Sequence, residues 1–200
     1  MLAGSFDVVF TSYGVLSWLD DLDRWARVVA HFLRPGGTFY MVEFHPALTM
    51  LDDAGAATAY PYFEQAEPVR YDARGSYADT GAAFEHVAYD WPHSLGEVVT
   101  ALLNAGLRLT ALHEYPYSPY GCYPFLVQRA PREYVVRDTP HDVPLVYALV
   151  MLAPEPEDLD RVWRAILISA ALQVGIGMAE WVGGWPMRRV FSVVNSYDEA

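Results

Sequence analysis

The feature that most constrains this chain is a strand–helix–strand pattern between Phe6 and Phe44. The run Phe6-Asp7-Val8-Val9-Phe10-Thr11-Ser12 is rich in β-branched and aromatic residues. A nearly unbroken apolar run of this length suits a strand buried on both faces of a parallel sheet. Trp18, Leu22, Trp25, Val28, Val29 and Phe32 then recur at helical spacing, which predicts one apolar stripe on a helix of about four turns. Asp20 and Asp21 provide an N-cap and the negative charge that a first helical turn favours. Pro35-Gly36-Gly37 predicts the stop and the turn, and Thr38–Phe44 reads as a second buried strand leading into His45-Pro46. Such a crossover is right-handed and makes its two strands parallel neighbours.

Beyond this unit, residues 47–90 are irregular, with tyrosines scattered among Pro, Gly, Ala and Asp. They read as a long insertion of short helical and hairpin pieces, of the kind that forms a lid or substrate wall. Ser94-Leu95-Gly96-Glu97 is a capping box that opens a helix through Val98, Val99, Leu102 and Leu103, closed by Ala105-Gly106. Leu107–Tyr115 and Pro144–Leu152 read as further strands, separated by a turn-rich stretch with Pro116, Pro119, Gly121 and Pro124. At Pro154-Glu155-Pro156-Glu157-Asp158 an acidic break begins. The expected division is therefore one domain over 1–153 and a C-terminal extension, structurally undefined by its pattern, over 154–200. Within that extension Ala165–Val182 is mostly apolar, but Gln173, Gly175, Gly177 and Glu180 interrupt it. That counts against a membrane span, which needs roughly 20 predominantly apolar residues.

Charge narrows the partners. With 25 acidic against 13 basic residues the formal net charge is −12, a balance that repels a phosphate backbone and argues against nucleic acid as the main partner. Cys122 is the one cysteine, so no intrachain disulfide forms, in keeping with a cytoplasmic location. Met1–Asp7 has neither the basic nor the apolar region of a signal peptide. The six histidines lack metal-ligand spacing, and no metal site is expected.

Taken together, Phe6–Leu19 resembles the fourth-strand motif of class I S-adenosylmethionine-dependent methyltransferases. Leu33-Arg34-Pro35-Gly36-Gly37-Thr38-Phe39 resembles their helix stop and fifth strand, and Glu43-Phe44-His45-Pro46 one bacterial subgroup. The capped helix with Ala105-Gly106-Leu107, then a sixth strand and an antiparallel seventh at Pro144–Leu152, continues the likeness over about residues 4–153. The resemblance implies an α/β fold, an incomplete Rossmann-like methyltransferase sheet of strands four to seven with helices on its faces. It also implies the sheet order four, five, seven, six. The glycine-rich loop after the family's first strand and the acidic end of its second are not found in this sequence; Gly175-Ile176-Gly177 lacks the strand–loop–helix context. The chain thus reads as the C-terminal half of such an enzyme, a truncated form with Phe6–Phe10 as an unpaired apolar edge. A partner chain or an oligomer would cover that edge.

The resemblance implies S-adenosylmethionine as cofactor and a small molecule as methyl acceptor. It places Thr11, Ser12 and Tyr13, with Val15 and Leu16 nearby, beside the cofactor's sulfur and amino-acid end. From the residues alone, these lie where open α/β sheets bind ligands, or simply end a strand with small polar groups. Glu43 and His45 end the next strand on the same edge. They are candidates to position a substrate or take its proton, set against a local role in which His45-Pro46 turns the chain and Glu43 bonds backbone. Tyr115, Tyr117, Tyr120 and Tyr123 either wall an apolar pocket or pack a loop. The competing class is a non-catalytic interaction module that pairs its exposed strand with a partner.

Overall fold

A computed structural model of the chain describes residues 6–56, 58–75, 82–155 and 167–168. The chain divides into two compact units, Met1–Pro154 and Glu155–Ala200. Apart from Leu167 and Ile168, the apolar stretch Ala165–Val182 lies outside the described residues.

The strand–helix–strand unit forms as β1 (Phe6–Thr11), α1 (Leu22–Phe32) and β2 (Leu33–Phe44). β1 and β2 pair in parallel, with Val9 opposite Phe39 and Thr11 opposite Met41. Asp21 caps α1 by accepting the Arg24 N–H. Two details differ from the sequence reading. Trp18 belongs to a separate 3-10 turn, Leu16–Trp18, and Val28 is exposed, so the stripe that meets the sheet is Leu22, Ala26 and Val29. Pro35-Gly36-Gly37 falls inside β2 rather than before it, because the helix has already ended at Phe32. The pairing register slips there, from Phe6–Leu33 to Val8–Thr38, and Gly36 takes φ +71°.

The insertion holds α2 (Pro46–Thr49) and a hairpin, β3 (Val69–Arg74) with β4 (Glu85–Asp90). α3 (Leu95–Asn104) starts on the expected reciprocal capping box, and Gly106 follows it at φ +88°. β5 (Arg108–Tyr115) comes next, then an unanticipated hairpin, β6 (Leu126–Ala130) with β7 (Glu133–Val136), and finally β8 (Val146–Leu152). The main sheet has the order β1-β2-β8-β5. β8 is antiparallel to both β2 and β5, so β1, β2 and β5 all point the same way.

α1 and α3 cover one face of this sheet. Leu22, Ala26 and Val29 join Val98, Ala101 and Leu102 over Phe39, Met41, Leu149 and Met151. The alternation of a strand puts Val8 and Phe10 on the other face from Val9, which packs into that core. There Val8 is 59% and Phe10 57% exposed, and Phe10 stacks on Tyr40 at 5.6 Å. β1 is therefore not buried on both faces, as its composition suggested. Among the described residues it is the sheet's edge, with only one face under helices. A second core gathers Leu48, Phe125, Leu126, Val136 and Leu145 around α2 and the β6–β7 hairpin.

Candidate functional site

Because β1, β2 and β5 run in one direction, their C-terminal ends share a rim. Residues 11–16 leave β1 there, Glu43, Phe44 and His45 leave β2, and Glu114 and Tyr115 end β5. The backbone closes the rim: His45 N–H donates to Leu145 O at 2.9 Å, and Leu145 N–H to Tyr115 O at 2.8 Å.

Glu43 organises it. The side chain is 5% exposed, on the helix side of β2, and its carboxylate accepts backbone N–H groups from Gly14 (2.5 Å), Val15 (2.9 Å) and Phe44 (2.8 Å). Leu16 N–H adds a longer contact at 3.4 Å. Successive N–H groups that converge on one point make an anion-binding concavity, and here the anion is the chain's own carboxylate. Gly14 allows this by adopting φ +74°, a conformation open to glycine at no steric cost. With its oxygens engaged by the backbone, Glu43 is built to hold residues 14–16 in place rather than to shuttle a proton.

The other residues singled out in the sequence distribute unevenly. Ser12 is exposed, while Thr11, Tyr13 and Val15 are half-buried. Leu16 is packed in the main core, so only its backbone faces the loop. Tyr13 lies 5.3 Å from the Phe44 ring and 6.3 Å from Tyr120, and Phe44 and Tyr120 meet at 5.9 Å. These rings pack on one another as an aromatic cluster at the rim. Burial raises the Tyr13 phenol above its usual range, and Tyr40, Glu43, Tyr115 and Tyr117 push the same way, so it stays a neutral hydroxyl. Of the four tyrosines of the turn-rich stretch, Tyr115 and Tyr117 pair at 5.8 Å, whereas Tyr123 stacks on Phe125 beside the second core.

His45 is also 5% exposed. Its Nδ1 accepts the Ala47 N–H at 3.0 Å, which caps α2. Its Nε2 lies 2.9 Å from Glu114 Oε1, an ion-pair distance, but without the alignment of a full hydrogen bond, and among the described residues it has no other partner. Burial lowers the imidazole pKa, opposed by Glu114, which leaves the ring neutral near pH 7. Glu114, about half exposed, was not anticipated; a single acid at a strand end carries no sequence signal.

Among the described residues no group of three or more His, Cys, Asp or Glu side chains is placed to hold a metal ion, and no helix is long and apolar enough to cross a membrane. An open cleft of about 640 Å³ lies on the helix side, lined by Asp20, Asp21, Glu64, His93 and Glu97 among others. Asp21 and Glu97 in it already cap α1 and α3.

No family model matches the sequence, and no curated protein matches it. Solved structures do resemble it. A Listeria monocytogenes protein assigned as an S-adenosylmethionine-dependent methyltransferase is 15% identical, with a TM-score of 0.48 over 76% of this chain and 64% of its own. An S-adenosylmethionine-dependent methyltransferase from Mesorhizobium loti is 16% identical, with a TM-score of 0.41 over 75% and 62%. One from Methanosarcina mazei is 14% identical, with a TM-score of 0.44 over 76% and 61%. The chain thus spans less than two thirds of the length of each. The order β1-β2-β8-β5, with β8 antiparallel to its neighbours, is the four, five, seven, six order expected from the sequence, and the described chain is an α/β sheet of that order with helices over one face.

Proposed function

We propose that this chain serves S-adenosylmethionine-dependent methyl transfer to a small-molecule acceptor, as a truncated form in which cofactor binding is impaired. The observation that supports this reading is the rim itself, where Glu43 fixes residues 14–16 against the end of β2. Ligands of open α/β sheets bind beyond the carboxyl ends of the strands. Thr11, Ser12, Tyr13 and Val15 are the cofactor-facing residues of the proposal; Leu16 contributes through its backbone, since its side chain is in the core. The fit is partial. The rim offers a hydroxyl and an aromatic ring to the cofactor's sulfur and amino-acid end, but the sequence has no glycine-rich loop for the remainder. When bound, the cofactor supplies an electrophilic methyl group, and this chain's residues orient it and its acceptor. Alignment of that kind accounts for much of the rate in reactions needing little acid–base help.

Isothermal titration with S-adenosylhomocysteine tests the reading. The 200-residue chain alone is expected to show no low-micromolar binding, and binding is expected once a polypeptide carrying a glycine-rich strand–loop–helix is fused before β1. Tight binding by the chain alone would overturn the truncated form; no gain from the fusion would overturn the cofactor assignment.

A second reading is favoured by one specific observation. β1 is an edge strand whose Val8 and Phe10 are more than half exposed, the profile of a strand that pairs with a partner in a non-catalytic interaction module. The net charge of −12 favours a neutral or basic partner. Phe10→Lys then abolishes association while leaving the fold intact, and a chain that stays monomeric at all concentrations and co-purifies with nothing removes this reading.

A further inference from the structure

We propose that His45 is a proton-operated latch: neutral, it caps α2 through Nδ1; protonated, it releases that cap and engages Glu114 instead. The inference is independent of the methyl-transfer reading. It starts from the two ring nitrogens, which face different partners.

Nδ1 accepts the Ala47 N–H, so in the neutral ring the proton sits on Nε2. α2 begins with Pro46, which has no N–H to satisfy, and Ala47 is therefore the first donor of that turn. Protonation puts a hydrogen on Nδ1, directly against the Ala47 N–H. Two donors then face each other and the cap is lost. The same proton gives the ring a positive charge 2.9 Å from Glu114 Oε1, where the neutral ring's N–H is poorly aligned with the carboxylate. A small rotation of the imidazole converts that misdirected approach into a charge-assisted bond. What α2 loses, the contact across the rim between the ends of β2 and β5 gains.

The surroundings make the device responsive. From β5 the ring faces Glu114, and from β8 it meets Tyr147 edge-on at 6.0 Å. On its own strand, Glu43 is held by backbone N–H groups of residues 14–16 and Phe44. Glu114 is thus the anionic side chain in direct contact with the ring. Burial moves the transition below the ordinary histidine range of ~6.5, while Glu114 pulls it back upward. The moving part is small. Leu48 stays fully buried in the second core, so the loss of the cap loosens residues 46–49 without uprooting them.

Amide hydrogen exchange across pH 5–8, with NMR titration of the His45 ring, tests the latch. Protection of the Ala47 amide, corrected for intrinsic exchange, is expected to fall about tenfold as His45 becomes protonated. E114Q removes the counter-charge and moves the midpoint to lower pH. H45N keeps a capping oxygen without a titrating group, and Ala47 protection then ceases to depend on pH. Constant Ala47 protection through the His45 titration, or an unchanged midpoint in E114Q, would overturn the proposal. The wild-type and E114Q comparison decides the matter even if H45N fails to fold.

Discussion

Replacing Glu43 by glutamine removes a charge and one of two acceptor oxygens while keeping the side chain's shape. In the wild type those oxygens take N–H groups from Gly14, Val15 and Phe44 at 2.5–2.9 Å, and Leu16 at 3.4 Å. Gln retains one carbonyl oxygen, enough for two of these donors, and turns an NH₂ group toward the others. Val15 N–H then loses its acceptor in a half-buried setting; the Leu16 contact is too long to count as a full bond. A hydrogen bond to a charged group contributes ~1.5–3 kcal/mol, and an abandoned buried donor costs a further ~1–3 kcal/mol. Because the loop lies at the rim, water recovers part of this, and the expected loss is about 2–4 kcal/mol. Urea unfolding of Met1–Ala200 measures it as a drop in midpoint at constant slope. The loss also has a local signature: amide resonances of Gly14 and Val15 move far more than those of α3. A destabilisation below about 1 kcal/mol, with those amides unmoved, would refute the claim that Glu43 holds the loop.

Other perturbations have graded outcomes. Leu102→Ala, at a fully buried position under the sheet, is expected to cost about 2–5 kcal/mol in the same assay. Ser94→Ala removes one half of the capping box and is expected to cost about 1 kcal/mol, with increased exchange confined to the first turn of α3. Since burial depresses the His45 pKa in the folded state, the unfolded chain binds more protons just below ~6.5. The His45 contribution is therefore complete above that pH and is lost as pH falls through the folded-state value, a slope in unfolding free energy that His45→Asn flattens.

What the sequence made legible was local. The run before Thr11 forms a strand, Asp21 caps α1 and the Ser94/Glu97 pair caps α3, and each of these signals acts within a few residues. β8 was also readable, because an internal strand is apolar throughout, and it is buried along most of its length. Trp18 was assigned to the helix because helical spacing cannot distinguish a residue in the helix from one that precedes it. The β6–β7 hairpin escaped notice since its strands are four and five residues long and follow a Pro- and Tyr-rich run. The site was the least legible part. Glu43 and its loop donors are 27–29 residues apart in sequence, and His45 and Glu114 are further apart still, so only the crossover and the order of the sheet bring them together. The exposure of β1 was hidden for a related reason: apolar composition reports that a strand has a face to bury, not whether this chain supplies the cover.

Backbone NMR with S-adenosylhomocysteine added to millimolar concentration would probe the rim most directly. Weak, fast-exchanging shifts should centre on the amides of Thr11–Val15 and reach Phe44, with the far ends of α1 and α3 unmoved. Shifts confined to the acidic cleft between the starts of those helices, or none at all at saturating ligand, would contradict the placement of the cofactor at the ends of β1 and β2.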